Sequence, residues 1–248
     1  MVYRLLDITR AYALEKLSLA QELDATRERH AERCLALMEQ AQADWSSLAT
    51  QPWIDRYAPL REDIRAALDW GLGEKGAHAL AIRLTVSTMP LWQELSLLRE
   101  HGLYVGKALD LMANTDVPCP QLAMQLQLAL GSLSYHAVGG AFQSGAAFDD
   151  ARRLAEQCQD LSGQLRAISG HLAVNLCSGR YGEALAQSQQ FDRLDPRTDP
   201  LLGVSNQRLQ VLAQHYTGNQ ILARQNAEQV LQRMAHSGHL NRFAHGIG

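Results

Sequence analysis

The sequence predicts an all-α protein, a solenoid of antiparallel helix pairs preceded by connector helices. Three observations lead to this prediction. Leu (40) and Ala (34), both good helix formers, dominate the 248 residues, whereas the β-branched types Val, Ile and Thr together number 24. Apolar residues recur three and four positions apart over long stretches. Beyond residue 76, small residues and glycines return at an interval of 39 positions.

Composition and charge exclude several classes of protein. The chain is 46% hydrophobic and 20% charged, with a formal net charge of −3, which is typical of a globular protein. The basic excess of nucleic-acid-binding domains is missing. No stretch of 18 apolar residues occurs, and the first ten residues, MVYRLLDITR, do not form a secretory signal. The four cysteines form no C-x-x-C motif, so we expect a cytoplasmic protein with no direct nucleic-acid or membrane contact.

The N-terminal part of the chain predicts a short strand followed by helices. Residues 2–6 (VYRLL) fit a strand. Helical spacing of apolar residues begins after Asp7, which fits an N-cap. A second helix is expected to begin near Thr26 and to run through HAERCLALMEQAQADW.

Two prolines mark out the next elements. Pro52 and Pro59 bracket a stretch that predicts a connector containing Trp53, and Pro59 suits the first turn of a third helix over LREDIRAALDWGL. Glycines between positions 71 and 76 end that helix. The four tryptophans stand among leucines at helical spacing, so they are expected to anchor the core between these helices. They are Trp45, Trp53, Trp70 and Trp92.

A 39-residue repeat runs through the remainder of the chain. Small residues recur at Gly106, Gly145, Ala184 and Ala223. Glycines recur at Gly140, Gly179 and Gly218, with Gly102 one position out of step. Each copy predicts a helix, a glycine-containing turn and a second helix, with the small residue where the two helices approach closely. The alternative is an irregular helical bundle with chance spacing.

The best-defined copy resembles a tetratricopeptide repeat (TPR). Gly179, Tyr181, Ala184 and Pro196 stand at the offsets where that family has glycine, aromatic, alanine and proline residues. The interval of 39 exceeds the family's usual length of about 34 residues, which implies longer helices or linkers. The resemblance therefore implies a TPR-like solenoid of antiparallel helix pairs.

Three blocks near the N-terminus resemble a bacterial family in their order and spacing. YRLLDITRAYALEKL, RERHAERCLALMEQA and LREDIRAALDWGL look like the segment after the nucleotide-binding core of STAND-type (NB-ARC-like) predicted ATPases, which include winged-helix transcriptional regulators. The resemblance implies three parts. Residues 1–20 are the end of a winged-helix-like domain, residues 21–75 are connector helices, and residues 76–248 are TPR-like repeats, truncated at the C-terminus.

The nucleotide-sensing motif of that family is only partly present. Arg4-Leu5-Leu6-Asp7 aligns with a Met-His-Asp motif whose histidine senses the phosphate of a bound nucleotide, and only Asp7 matches. Leu6, in place of the histidine, cannot donate a hydrogen bond. No Gly-x-x-x-x-Gly-Lys-Ser/Thr motif occurs. We therefore expect no cofactor in this chain, with ATP or ADP bound only by an upstream domain, and we expect the chain to be a fragment or a truncated gene product.

The titratable residues give little indication of a metal site or a catalytic site. His30 and Cys34 lie four positions apart on a helix, without the further ligands that zinc needs. A histidine cluster at the end of the last helix comprises His236, His239 and His245. Adjacent acids point in different directions on a helix and form no natural acid–base pair. They are Glu62-Asp63 and Asp149-Asp150. No nucleophile motif is present, so the sequence predicts a protein that is not an enzyme.

The remaining candidate is a surface. Stacked helix pairs form a concave face lined by the first helix of each pair. The 39-residue interval aligns Gln127, Arg166 and Ser205 in one column and Leu130, Ser169 and Arg208 in another. The candidate partner-binding residues are the polar members, Gln127, Arg166, Ser169, Ser205 and Arg208. A polar groove that contains arginine suits a peptide or an acidic effector. The alternative is that these are ordinary exposed helix positions.

The expected function follows from the two resemblances. The chain is predicted to be the non-catalytic sensor and protein-interaction region of a STAND-type ATPase transcriptional regulator. Its expected partner is a protein or peptide, or a small effector. The alternative is a free-standing TPR-like adaptor that binds a protein partner.

Overall fold

The chain is helical throughout the part that the computed structural model describes, residues 6–45, 47–114, 119–135, 141–194 and 200–236. These residues form thirteen α-helices and a short 3-10 helix over Ala58–Leu60, with no strand among them. The α-helices are α1 (Asp7–Leu19), α2 (Leu23–Trp45), α3 (Thr50–Tyr57), α4 (Arg61–Gly71), α5 (His78–Ser87), α6 (Met89–Glu94), α7 (Leu98–Asn114), α8 (Pro120–Tyr135), α9 (Ala141–Gln157), α10 (Leu161–Cys177), α11 (Tyr181–Arg193), α12 (Pro200–Tyr216) and α13 (Gln220–His236). The all-α prediction is confirmed. The strand expected over residues 2–6 falls, apart from Leu6, outside the described residues.

The N-terminal helices differ from the prediction in several places. α1 begins at Asp7 itself, with Leu6 as its N-cap, so the prediction that Asp7 is the N-cap is wrong. α2 begins at Leu23, three residues before Thr26. The stretch expected to be a connector forms the helix α3 instead. Pro52 fits there because it lies in the first turn, where backbone N–H groups have no partner within the helix. The third predicted helix is present as α4, but Pro59 lies in the preceding 3-10 helix and not, as predicted, in the first turn of α4.

The largest core lies between α2, α4, α5 and α7 and contains the tryptophans. Trp53 is fully buried, and its Nε1 donates a hydrogen bond to the Ala41 carbonyl oxygen at 2.8 Å. Trp45 meets the Trp53 ring edge-on, with 4.9 Å between ring centroids. Trp92 is fully buried, and Trp70 packs partly buried against the same core. The prediction that the tryptophans anchor this core is confirmed.

Asp44 fixes the end of α2 to α3. Its carboxylate accepts hydrogen bonds from the Tyr57 hydroxyl at 2.6 Å, from Arg56 at 2.9 Å and from the Gln40 amide at 2.8 Å. The bond from Tyr57 is the largest cause that lowers the pKa of Asp44. Burial, followed by the bond to Asp44, raises the pKa of Tyr57 to about 12. The carboxylate therefore stays charged and the phenol stays neutral at neutral pH.

A fork-shaped ion pair joins α4 to α7. Arg65 donates from Nε and Nη2 to the two carboxylate oxygens of Glu100, both at 2.5 Å, and from Nη1 to Glu62 at 2.6 Å. Its guanidinium carbon also lies 5.8 Å from the centroid of the Trp92 ring. The hydrogen bonds to Glu100 are the largest cause that raises the pKa of Arg65. This geometry is the strong bidentate type of arginine–carboxylate pair.

Among the described residues, five turns between consecutive helices share one geometry. In each turn one residue adopts the left-handed conformation: Gln21, Ser96, Gln159, Gly179 and Gly218. At Gly179 the paired hydrogen bonds of a Schellman motif run from Arg180 N to Asn175 O at 2.9 Å and from Gly179 N to Leu176 O at 3.1 Å. The predicted turns at Gly179 and Gly218 are thus confirmed, while Gly140 lies outside the described residues. The prediction of a turn at Gly102 is wrong, because Gly102 lies inside α7.

From α8 onward the helices follow a regular order. Each packs against the next. We call α8, α10 and α12 the first helices, and α10 also packs against both α8 and α12. The apolar contacts of these helices form three small clusters, and α8 also contributes Leu126 and Ala129 to the large core. The second half of the chain is therefore held by contacts between near neighbours in sequence.

Residues 39 positions apart make equivalent contacts in the last two helix pairs. Asn175 of α10 donates its side-chain N–H to the Gln187 side-chain oxygen of α11 at 3.0 Å. In the next pair the asparagine lies on the second helix and the glutamine on the first. There Asn226 of α13 donates to Gln214 of α12 at 2.9 Å. The same hydrogen bond thus joins first and second helices at the same level in both pairs.

The small residues of the repeat have different surroundings in different copies. Ala184 is fully buried and clusters with Leu172 and Ala213, so its predicted role at a close approach of helices is confirmed. The prediction for Gly106 is wrong, since a Cβ atom there would meet no atom within 4 Å. The reason is that α7 begins at Leu98, well before Gly106, so Gly106 lies in the middle of its helix, whereas Ala184 lies in the first turn of α11. The 39-residue register therefore does not reach back to α7.

Candidate partner-binding surface

The first helices carry the residues that the sequence predicts to face a partner. The Gln121 side-chain N–H at the start of α8 donates to Asp160 Oδ2 at 2.6 Å. Asp160 is the N-cap of α10 and accepts the Gly163 backbone N–H at 2.9 Å. Gln121 and Asp160 are 39 positions apart, so here the repeat interval does place residues of neighbouring first helices in contact. In the middle of α8, Leu130 packs against the large core.

The candidate residues differ in accessibility. Gln127, Arg166, Ser205 and Arg208 are all partly exposed. Ser169 is 1% exposed, because α10 is packed against α8, α9, α11 and α12. Its side chain therefore does not reach a partner at the surface. Partner binding by the other four residues stays a prediction.

Arg166 differs in its charge environment from the other arginines nearby. It forms no hydrogen bond or ion pair within the described ranges, although it is partly exposed on α10. Three neighbouring arginines are paired with acids of their own helices, Arg152 with Glu156, Arg153 with Asp150 and Arg180 with Glu183. The Arg166 guanidinium keeps its donors available for a carboxylate or another acidic group.

The structure also brings together an aromatic pair that sequence reasoning missed. Tyr181 at the start of α11 stacks on Tyr216 at the end of α12, with 4.5 Å between centroids and an interplanar angle of 14°. The His215 ring meets the Tyr216 ring edge-on at 5.2 Å, and Tyr216 is 58% exposed. Tyr181 was visible as the aromatic residue that follows a turn glycine. The sequence does not indicate that Tyr216 stacks on Tyr181, because Tyr216 belongs to the following helix pair.

The adjacent acids have different partners. Asp149 lies 3.0 Å from Nδ1 of His171 on α10, and Asp150 lies 3.0 Å from Arg153. Glu62 accepts from Arg65. These partners point the carboxylates apart, and the arrangement has no paired-carboxylate geometry for acid–base chemistry.

His30 and Cys34 lie close together on α2. Nε2 of His30 is 3.7 Å from Sγ of Cys34 and 3.9 Å from Oδ1 of Asp63. Burial, followed by the charge of Asp63, raises the pKa of Cys34 to about 12, so the thiol stays protonated and is a poor metal ligand. No three His, Cys, Asp or Glu residues in the described ranges are grouped so that they could hold a metal ion. His239 and His245 lie outside those ranges.

Comparisons with known proteins add no relatives. No family model matches the chain, no curated protein matches it, and no solved structure matches it. In the described parts of the chain, every helix is too short or too polar to cross a lipid bilayer.

Proposed function

We propose that this chain is the helical-repeat sensor and protein-interaction region of a STAND-type ATPase transcriptional regulator. In this proposal α1 is the end of a winged-helix-like domain, α2–α4 are connector helices, and the later helices form a TPR-like solenoid. The nucleotide-binding and DNA-binding parts would belong to an upstream region of the same protein. The helical repeats would receive a protein or peptide partner, or a small effector.

The observation that carries the solenoid is the recurrence of contacts at an interval of 39 residues. The contact between Gln121 and Asp160 joins successive first helices at this interval. The Asn175–Gln187 bond of one helix pair returns as the Gln214–Asn226 bond of the next. Stacked helix pairs produce such recurrence because each pair meets its neighbour in the same way.

The assignment to a STAND-type regulator rests on the order of the connector helices. α1, α2 and α4 cover the described helical parts of the three sequence blocks that resemble that family, in the same order. The hydrogen bonds of Asp44 fix α2 to α3, and the ion pair of Arg65 with Glu100 fixes α4 to α7. Such an arrangement suits a rigid link between an upstream domain and the repeats.

The upstream reading frame tests this assignment directly. We expect codons for a Gly-x-x-x-x-Gly-Lys-Ser/Thr motif in frame before Met1, and we expect calorimetric titration of this chain alone with ATP or ADP to show no binding. A frame without the motif would favour the free-standing adaptor. Micromolar nucleotide binding by this chain alone would contradict the domain division.

Partner capture tests the surface of the first helices. The double variant Arg166→Ala, Arg208→Ala is expected to lose proteins or peptides that the unaltered chain captures from the native cytoplasm, because it removes the guanidinium groups from this surface. Arg153→Ala, which removes an exposed arginine from α9, is the matched control. Circular dichroism of all three proteins verifies that helicity is unchanged. Equal capture by the double variant and the control would exclude this surface.

A further inference from the structure

The helices α10, α11 and α12 enclose two apolar clusters at different levels of the stack, and each helix contributes to both. The first cluster contains Leu165 and Ile168 of α10, Phe191 of α11 and Leu202 of α12. The second contains Leu172 of α10, Ala184 of α11 and Ala213 of α12. The order of these residues along the chain means that α11 runs antiparallel to the two helices beside it.

A layer of polar residues lies between the two clusters. Ser188 follows Ala184 by four positions and precedes Phe191 by three, so the helical period places it on the same face of α11, between the clusters. Spacings of three, four and seven positions to the cluster members of their own helices place Ser169 of α10 and Asn206 of α12 at this level as well. We call Ser169, Ser188 and Asn206 the polar layer.

The polar layer is closed to solvent, and two of its members have no partner. Asn206 and Ser188 are fully buried, and Ser169 is 1% exposed. Neither Nδ2 nor Oδ1 of Asn206, nor Oγ of Ser188, has a hydrogen-bond partner within the described residues. The amide and the hydroxyl therefore do not bond to each other, although they share one level. Buried polar groups in native proteins are normally paired, either with protein atoms or with ordered water.

We propose that the polar layer is a buried hydration site, which binds at least one ordered water molecule between Asn206 and Ser188. A water molecule accepts from Nδ2 and donates to Oγ, or accepts from the hydroxyl and donates to Oδ1, since a serine hydroxyl both donates and accepts. Ser169 supplies a further hydroxyl at the same level. Buried waters typically make about three hydrogen bonds to groups that are otherwise unpaired. The inference does not depend on the function proposed above.

The preceding repeat shows that this hydration site belongs to one seam of the stack. The positions 39 residues before the polar layer are Leu130, Asp149 and Ala167. Ala167 is buried in an apolar cluster, and Leu130 packs against the large core. The helices therefore pack with apolar side chains where the next seam has Asn206 and Ser169, and an apolar residue at the level of Asn206 is compatible with the fold.

A crystal structure of the unaltered chain, at a resolution that shows ordered water, tests the proposal directly. We expect a water molecule within about 2.7–3.2 Å of an amide atom of Asn206 and of Oγ of Ser188. A direct hydrogen bond between Asn206 and Ser188 would overturn the proposal. Pairing of both groups with other protein atoms, or close packing of the layer without water, would overturn it as well.

A second measurement counts the trapped water in solution. Magnetic relaxation dispersion of the water oxygen-17 nuclei detects molecules that stay inside a protein much longer than those at its surface. The double variant Ser188→Ala, Asn206→Leu removes the unpaired groups and is expected to lose at least one such water per chain. Ser205→Ala, at a partly exposed neighbouring position on α12, is the control and should lose none. Circular dichroism verifies that both variants are folded. An equal number of long-lived waters in the unaltered chain and the folded double variant would overturn the proposal, and the crystal structure decides it if the double variant does not fold.

Discussion

Gly131 and Gly170 lie 39 positions apart on neighbouring first helices, and both lie against the same aromatic ring, that of Phe148 on α9. A Cβ atom on Gly131 would be 2.7 Å from Cε1 of Phe148, and a Cβ atom on Gly170 would clash with the same ring atom. Phe148 is 1% exposed, so the ring has no free space into which it could move. Because neither glycine has a side chain, α9 can pack closely against both α8 and α10.

Replacement of these glycines tests that packing. Gly170→Ala is expected to lower the free energy of unfolding by about 1–3 kcal/mol, because overpacking against Phe148 outweighs the higher helix propensity of alanine. Gly106→Ala in the middle of α7 is the control. Its Cβ would meet no atom within 4 Å, so it should raise stability by roughly 0.5–1 kcal/mol. Urea unfolding of both variants measures the difference, and changes of the same sign would contradict the assignment.

The helix pairs from α8 onward could be predicted from the sequence because their turns and seams use small residues. Gly179 and Gly218 mark turns through their positive φ angles, and Ala184 marks a close approach. The register fails further upstream for a physical reason. The turn before α7 uses Ser96 in the left-handed conformation, a residue type that gives no turn signal at the interval of 39. The interval therefore points to Gly102 instead.

The candidate surface could be predicted only in part. The interval of 39 coincides with a contact between successive first helices at Gln121 and Asp160. The interval could not distinguish Arg166, which is partly exposed, from Ser169, which is buried. That distinction depends on how many helices surround α10, and a serine fits either environment. The burial of Asn206, which is 0% exposed on α12, could not be predicted either, because asparagine is mostly found at protein surfaces.

The left-handed turn residues lead to a pair of opposite predictions. Gly179→Ala should lower stability by about 1 kcal/mol, since a Cβ is disfavoured at a φ of 74° although no neighbouring atom lies within 4 Å of it. Gln159→Gly, at the equivalent place between α9 and α10 with a φ of 54°, should raise stability by roughly 0.5 kcal/mol. Thermal unfolding of the two variants gives the comparison. Equal shifts in one direction would mean that backbone conformation does not control these turns.

The burial of His101 makes the stability of the protein depend on pH in the acid range. Its ring is 1% exposed on α7, and Nε2 lies 3.2 Å from the carbonyl oxygen of Thr85, to which the neutral ring donates. Burial lowers its pKa from 6.5 to about 4. Between these two pH values the unfolded chain binds a proton that the folded chain does not. The contribution of neutral His101 to the free energy of unfolding is therefore complete above pH 6.5 and is lost as the pH falls towards 4. The full loss corresponds to about 3 kcal/mol.

A variant separates this contribution from those of the carboxylates. His101→Gln retains an N–H donor for Thr85 and does not titrate. The difference in unfolding free energy between the unaltered protein and this variant should change by about 3 kcal/mol between pH 7 and pH 4. Urea unfolding at a series of pH values measures it. Parallel pH profiles for the two proteins would show that His101 is not the group responsible.

Ala184 and Ala186 allow the close approach of α10 and α11 to be tested with one type of substitution. Ala184 is fully buried beside Leu172 and Ala213, whereas Ala186, half a turn away on α11, is exposed. Ala184→Leu adds three carbon atoms to a filled seam and should cost about 1–3 kcal/mol of unfolding free energy. Ala186→Leu adds the same atoms at the surface and should change stability by about 0.5 kcal/mol or less. Chemical denaturation of the two variants under the same conditions compares them. Equal stability would mean that the seam has room for the larger side chain and that Ala184 does not set the distance between the two helices.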